Sequence, residues 1–116
     1  MKTALITGVT GQDVDSPFMM HVVKIRPEWR TKIPSVTHVD GTGRLQTVDR
    51  ENNARYYRLI SAVKQRTGVG MVLNTSFNEN EPIVDHPEQA VACFMRTDMD
   101  SLVIGRYIVS KPHQGR

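Results

Sequence analysis

The spacing of the apolar residues changes at Asn53. Before it, residues 18–25 (FMMHVVKI), 36–39 and 45–48 are short β-prone runs set apart by Gly, Pro and Asp. After it, Tyr56, Leu59, Ile60 and Val63 recur at helical spacing, Arg55, Arg58 and Lys64 fall off that stripe, and Gly68 stands just past its end. An amphipathic helix packed on a sheet is therefore expected. The chain of 116 residues has room for one small domain and not for two with independent cores.

The remaining punctuation fills in this frame. Residues 3–8 read as a buried strand, and Gly8 and Gly11 force a turn after it. DGTG is a tight turn between the run at 36–39 and its hairpin partner at 45–48, and it delivers Arg44 at the start of a strand. Residues 71–73 form a brief apolar strand broken by Asn74, Thr75 and Ser76. Asp85 and Glu88 have capping-box spacing for a second helix, whose buried face is Ala90, Val91, Phe94 and Met95, with Cys93 also a packing residue. Residues 101–109 (SLVIGRYIV) close the sheet, and 111–116 form a tail. The fold class is α/β (α+β), a twisted mixed sheet with about two packed helices.

Composition excludes several classes. A net charge of +3 spread along the chain suits a phosphate-bearing ligand and does not mark a nucleic-acid binder. The single cysteine, Cys93, rules out an internal disulfide and a cysteine zinc site. His21, His38, His86 and His113 lack metal-ligand spacing, so no protein-held metal is expected. No apolar stretch approaches membrane-spanning length, and a cytoplasmic protein is the simplest reading.

The opening MKTALITGVTGQD resembles the start of GDP-mannose 4,6-dehydratases. In that family a T-G-x-x-G-x-x-G turn leads into a helix whose N-terminus holds a cofactor pyrophosphate. Thr7, Gly8 and Gly11 match, but Val14 occupies the third glycine position, and Asp15, Ser16 and Pro17 interrupt the helix that should follow. Residues 1–15 thus read as a leader strand and turn, with an NAD(P)-binding dehydratase fragment the least supported function.

Four later motifs, SPFMM, IPSVTHVDGTGRLQTV, NNARYYRLISAVKQRTGVGMVLNTSFNENEPIV and TDMDSLVIGRYIV, carry a second resemblance across residues 16–109. They are similar to the C-terminal, YrdC-like domain of the O-carbamoyltransferases of nodulation-factor and antibiotic carbamoylation. The resemblance implies a partial YrdC-like domain over residues 16–110. Such a domain binds carbamoyl phosphate and ATP, with Mg²⁺, to form carbamoyl adenylate, and a Kae1-like domain transfers the carbamoyl group to a sugar hydroxyl. It also implies that Arg44 neutralises phosphates, that Ser76 with Asn74 and Thr75 holds the carbamoyl phosphate or adenylate, and that Met19 and Met20 line a nucleotide pocket that His38 touches.

The residues by themselves leave plainer alternatives. Arg44 could be a solvent-facing hairpin residue, Asn74 and Ser76 could cap a turn, Met19 or Met20 could be core, and His38 a structural histidine. Family members have further basic residues ahead of the SPFMM strand, so this part is expected to be inactive alone. The alternative function is a non-catalytic interaction remnant that pairs an open sheet edge with another chain or another copy.

Overall fold

The computed structural model describes residues 9–10 and 14–112, and the chain divides into two compact units, Met1–Leu73 and Asn74–Arg116. In the first unit β1 (His21–Lys24) pairs antiparallel with β2 (Thr42–Leu45). The register sets Val22 opposite Arg44 and Lys24 opposite Thr42. Between the strands lie α1 (Pro27–Arg30), opened by its own proline, and a single 3-10 turn, Pro34–Val36.

The α/β class read from the sequence holds, and the strands among the described residues form two two-stranded antiparallel sheets. Several local expectations change. The run at 18–25 is a strand only from His21, because Ser16 turns the chain first: its carbonyl accepts from Met19 N–H at 3.4 Å and its hydroxyl from Met20 N–H at 3.2 Å. Met19 consequently has a left-handed φ of 59°. Residues 36–39 are not a strand. Thr37 Oγ1 donates to the Ile33 carbonyl at 2.8 Å and Thr37 N–H to the Pro34 carbonyl at 3.1 Å, which winds the segment into its 3-10 turn. The partner of β2 is therefore the earlier strand β1, and β2 itself begins at Thr42.

The small core of this unit holds Val9, Ile25 and Ile33, with Trp29, Val36, Val69 and Met71 packed against them. Val9 and Thr10 are helical and buried; the rest of the opening turn, including Gly8 and Gly11, lies outside the described residues. Two glycines let the hairpin meet this core. A Cβ on Gly43 would lie 2.9 Å from both Ile25 Cδ1 and the Val36 carbonyl oxygen, and one on Gly41 would fall 2.5 Å from Arg30 Cζ. Gly41 also has a φ of +79°, and its carbonyl accepts from Ile25 N–H at 2.9 Å.

The ends of this hairpin region are tied together. Ser16 N–H donates to Thr47 Oγ1 at 3.0 Å, Thr47 N–H donates to the Ser16 carbonyl at 2.9 Å, and Thr47 Oγ1 donates to Asp15 Oδ1 at 2.8 Å. Ser16 and Thr47 are buried, and no buried side-chain polar atom among the described residues lacks a hydrogen-bond partner.

The helix expected after Asn53 is α2 (Ala54–Thr67). Asn53 Oδ1 accepts from Tyr56 N–H at 3.2 Å, and Gly68 ends the helix at φ 79° with its N–H on the Lys64 carbonyl. Its stripe is only half covered: Tyr56, Ile60 and Val63 are half-buried, Leu59 is exposed, and no residue of the helix is fully buried.

The expected strand at 71–73, at the end of the first unit, and the strand end at Asn74, where the second unit begins, are absent, since residues 71–76 are irregular. The second helix is α3 (Pro87–Arg96). Its capping box sits one residue later than the sequence suggests: Gln89 Oε1 accepts from Asp85 and His86 N–H at 3.0 and 3.4 Å, and His86 is the N-cap. Ala90, Cys93 and Phe94 are buried, whereas Val91 and Met95 are exposed. The closing strand is a hairpin, β3 (Ser101–Ile104) and β4 (Tyr107–Ser110). Gly105 at φ 58° supplies the first central residue of a two-residue turn of the II′ pattern, which divides the run in two.

Candidate functional site

The exposed face of the first hairpin carries most of the candidate residues. Side chains alternate across a strand and directly opposed residues share a face, so Val22, Lys24, Thr42 and Arg44 lie together. The other face presents buried Val23 and Gly43 to the interior. Arg44 stands in the middle of a paired strand and is exposed. Sequence reasoning placed it just past the turn; the register is what fixes its direction.

His38 joins this face through hydrogen bonds. Its N–H donates to the Thr42 carbonyl at 2.7 Å, and its ring Nδ1 lies 3.0 Å from Thr42 Oγ1. The Thr42 hydroxyl and N–H both donate to Asp40 Oδ1, at 2.7 and 3.0 Å. A hydroxyl has one hydrogen. Because that hydrogen serves the Asp40 carboxylate, His38 Nδ1 must donate to Thr42, which leaves Nε2 as the free ring nitrogen. The Thr42 hydroxyl, then its N–H, hold the Asp40 carboxyl below its ordinary value. Neither Thr42 nor Asp40 was singled out in the sequence; the signal was the Asp-x-Thr spacing, in which a carboxylate caps the backbone two residues on.

Met19 and Met20 stand at the turn that precedes β1. Met19 is half-buried in the turn, and Met20 is 79% exposed. Asn74, Thr75 and Ser76 belong to the second unit, where they are exposed on irregular chain. The structure thus brings Arg44 and His38 onto one face, and Asn74, Thr75 and Ser76 together on another segment.

The loop after Ser76 is closed on itself. Val84 N–H donates to the Phe77 carbonyl at 3.0 Å and Asn78 Nδ2 to the Glu81 carbonyl at 2.8 Å. Arg96 of α3 reaches back to pair with Glu81 and, at 3.6 Å, with Glu79. The Glu81 carboxyl is held below its ordinary value, first by its own N–H, with Asn80 N–H and Arg96 adding to the effect. An open cleft of about 500 Å³ between this loop and α3 is lined by Glu81, Ile83, Asp85, Gln89, Ala92 and Arg96. Its Arg96 and Gln89 are already engaged within the protein. Burial pushes the Cys93 thiol up, so it is a packing group here, not a nucleophile. Among the described residues no group of three or more His, Cys, Asp or Glu could hold a metal ion, and no helix is long and apolar enough to cross a membrane.

The family model for the carbamoyltransferase C-terminus matches residues 2–111. The chain belongs to this family. It is 53% identical over 96 residues to the nodulation protein NolNO of Sinorhizobium fredii, which covers 82% of this chain and 14% of that protein. It is 48% identical over 96 residues to the nodulation protein NolO of Bradyrhizobium diazoefficiens, covering 82% and 18%. A 3'-hydroxymethylcephem-O-carbamoyltransferase of Amycolatopsis lactamdurans is 33% identical over 95 residues, covering 81% and 18%. The chain therefore spans less than a fifth of the length of these relatives. The family match begins at residue 2, so it takes in the opening segment that by itself reads as a leader.

Proposed function

We propose that this carbamoyltransferase C-terminal chain is the part of an O-carbamoyltransferase that binds carbamoyl phosphate and ATP and forms carbamoyl adenylate. A Kae1-like domain would then pass the carbamoyl group to a sugar hydroxyl. The observation that carries this reading is Arg44, an arginine fixed mid-strand on an exposed face and, among the described residues, without an ion pair. A planar guanidinium held this way offers a fork of donors matched to phosphate oxygens. Asn74, Thr75 and Ser76 supply amide and hydroxyl groups suited to the carbamoyl or phosphate oxygens.

Magnesium offsets phosphate charge in such chemistry. The described residues offer no carboxylate cluster to hold it, and Asp40 Oδ1 is occupied by Thr42. The described residues therefore do not fit a resident Mg²⁺ site.

Titration of the chain with ATP and with carbamoyl phosphate, followed by calorimetry, tests the reading. Binding that Arg44→Ala and Ser76→Ala each weaken is expected. Absence of binding at millimolar ligand would refute it.

A second reading is favoured by β4, every residue of which is exposed, with Ile108 at 73%. An open, apolar strand edge is a template for pairing, so the chain would act as a non-catalytic module that joins another chain or a second copy. A clean monomer in sedimentation at high protein concentration counts against pairing between copies.

A further inference from the structure

The cations around the first hairpin are mostly engaged. Arg26 pairs with Glu28 at 2.7 Å, Arg30 Nε donates to the Ile25 carbonyl at 3.0 Å while its guanidinium covers Gly41, and Lys32 lies 4.9 Å from the Trp29 ring centroid. Lys24 and Arg44 differ: among the described residues neither makes an ion pair, although the register places them on one face. They are diagonal neighbours, with backbones roughly 7–8 Å apart. The acid closest in sequence to Arg44, Asp40, pairs with neither of them; its Oδ1 accepts from the N–H and hydroxyl of Thr42. Two like charges left side by side on a sheet cost stability, and an anion between them removes that cost.

We infer that Lys24 is a second phosphoryl-binding cation, set beside Arg44 across the hairpin so that the two grip one phosphorylated small molecule. The inference rests on the phosphate-binding reading of Arg44 proposed above and adds a residue from the other strand. The division of labour follows from the side chains. Arg44 presents a rigid fork that fixes orientation, whereas Lys24 is a mobile point charge that follows the phosphoryl oxygens. His38 is tied to the same face through its Nδ1 on the Thr42 hydroxyl, at 3.0 Å. The spacing suits a phosphoryl group with two or more free oxygens, which carbamoyl phosphate and the ATP triphosphate share.

The test is to titrate the full chain with carbamoyl phosphate, ATP and inorganic phosphate in separate arms, at two salt concentrations, for wild type, Lys24→Gln, Lys24→Arg and Arg44→Ala. Lys24→Gln should weaken binding about tenfold, as loss of one charge-assisted hydrogen bond does. It should also flatten the salt dependence without lowering the melting temperature, while Lys24→Arg restores affinity and salt slope. A purely structural Lys24 would leave the salt slope unchanged. Wild-type affinity in Lys24→Gln beside a loss in Arg44→Ala overturns the role of Lys24 and leaves the phosphate-binding reading standing. Binding of inorganic phosphate alone, weakened by Lys24→Gln, supports the two-cation grip and overturns the carbamoyl phosphate and ATP reading. No binding in any arm overturns both.

Discussion

Gly43 offers a sharp test of how the hairpin is seated. A methyl group there would meet Ile25 Cδ1 and the Val36 carbonyl oxygen, each at 2.9 Å. Ile25 is 3% exposed, so its side chain cannot swing aside without disturbing Val9 and Ile33. The Val36 oxygen is backbone, and moving it shifts the 3-10 turn. Overpacking of this kind costs about 1–3 kcal/mol. Replacing a strand glycine by alanine returns about 0.5–1 kcal/mol of backbone entropy. Gly43→Ala should therefore destabilise the protein by about 1–2 kcal/mol, which lowers the melting temperature of a small domain by roughly 4–8 °C per kcal/mol. Gly68 is the control. Its φ is +79° and nothing lies near its absent Cβ, so Gly68→Ala acts through backbone strain alone and Gly68→Asn should recover much of the loss. Thermal melts by circular dichroism measure all three. If Gly43→Ala melts at or above wild type, the close packing of β2 on Ile25 and the 3-10 turn is wrong.

Other measurements reach other parts of the molecule. Asn53→Ala removes the side-chain acceptor at the start of α2 and should cost about 1 kcal/mol, seen as a lower urea midpoint with the helix signal reduced. Asp40 is held below its ordinary value of 3.8 in the folded state, so its contribution is present above that value and is lost as pH falls through the folded one. Melts taken from pH 5 downwards should fall less steeply for Asp40→Asn, and parallel curves would contradict the Thr42 hydrogen bonds. Ring nitrogen chemical shifts of neutral His38 should report the Nδ1–H tautomer in wild type and a mixture in Asp40→Ala. The buried Cys93 should resist an aromatic disulfide reagent in the folded protein and react fully in denaturant; rapid native reaction would mean that α3 packs less tightly than described.

What the sequence revealed was local. The bounds of α2 follow from Asn53 and Gly68, which act on neighbouring backbone groups, and α3 was legible from its capping-box spacing, read at Asp85 and Glu88 and found one residue later at His86 and Gln89. Strand pairing is a different matter. The partner of β2 lies some twenty residues upstream, and nothing in the spacing of residues 36–39 signals that Pro34 and Thr37 will wind them into a 3-10 turn instead. Likewise Gly105 was legible as a glycine in a β-prone run, but its positive φ is what turns one strand into two. Of the candidate site, Arg44 was visible from its turn. Lys24 was not, because its relation to Arg44 exists only in the register.

The bonds joining Ser16 to Thr47 have a mechanical consequence. They fasten together two points thirty-one positions apart, closing the segment between them into a loop that is held a second time where Arg26 N–H meets the Val9 carbonyl. Lys24, His38 and Arg44 all ride on that closed loop. Strain arriving from the flanking chain should therefore meet the seam and the core before it reaches the β1–β2 ladder that spaces Lys24 from Arg44.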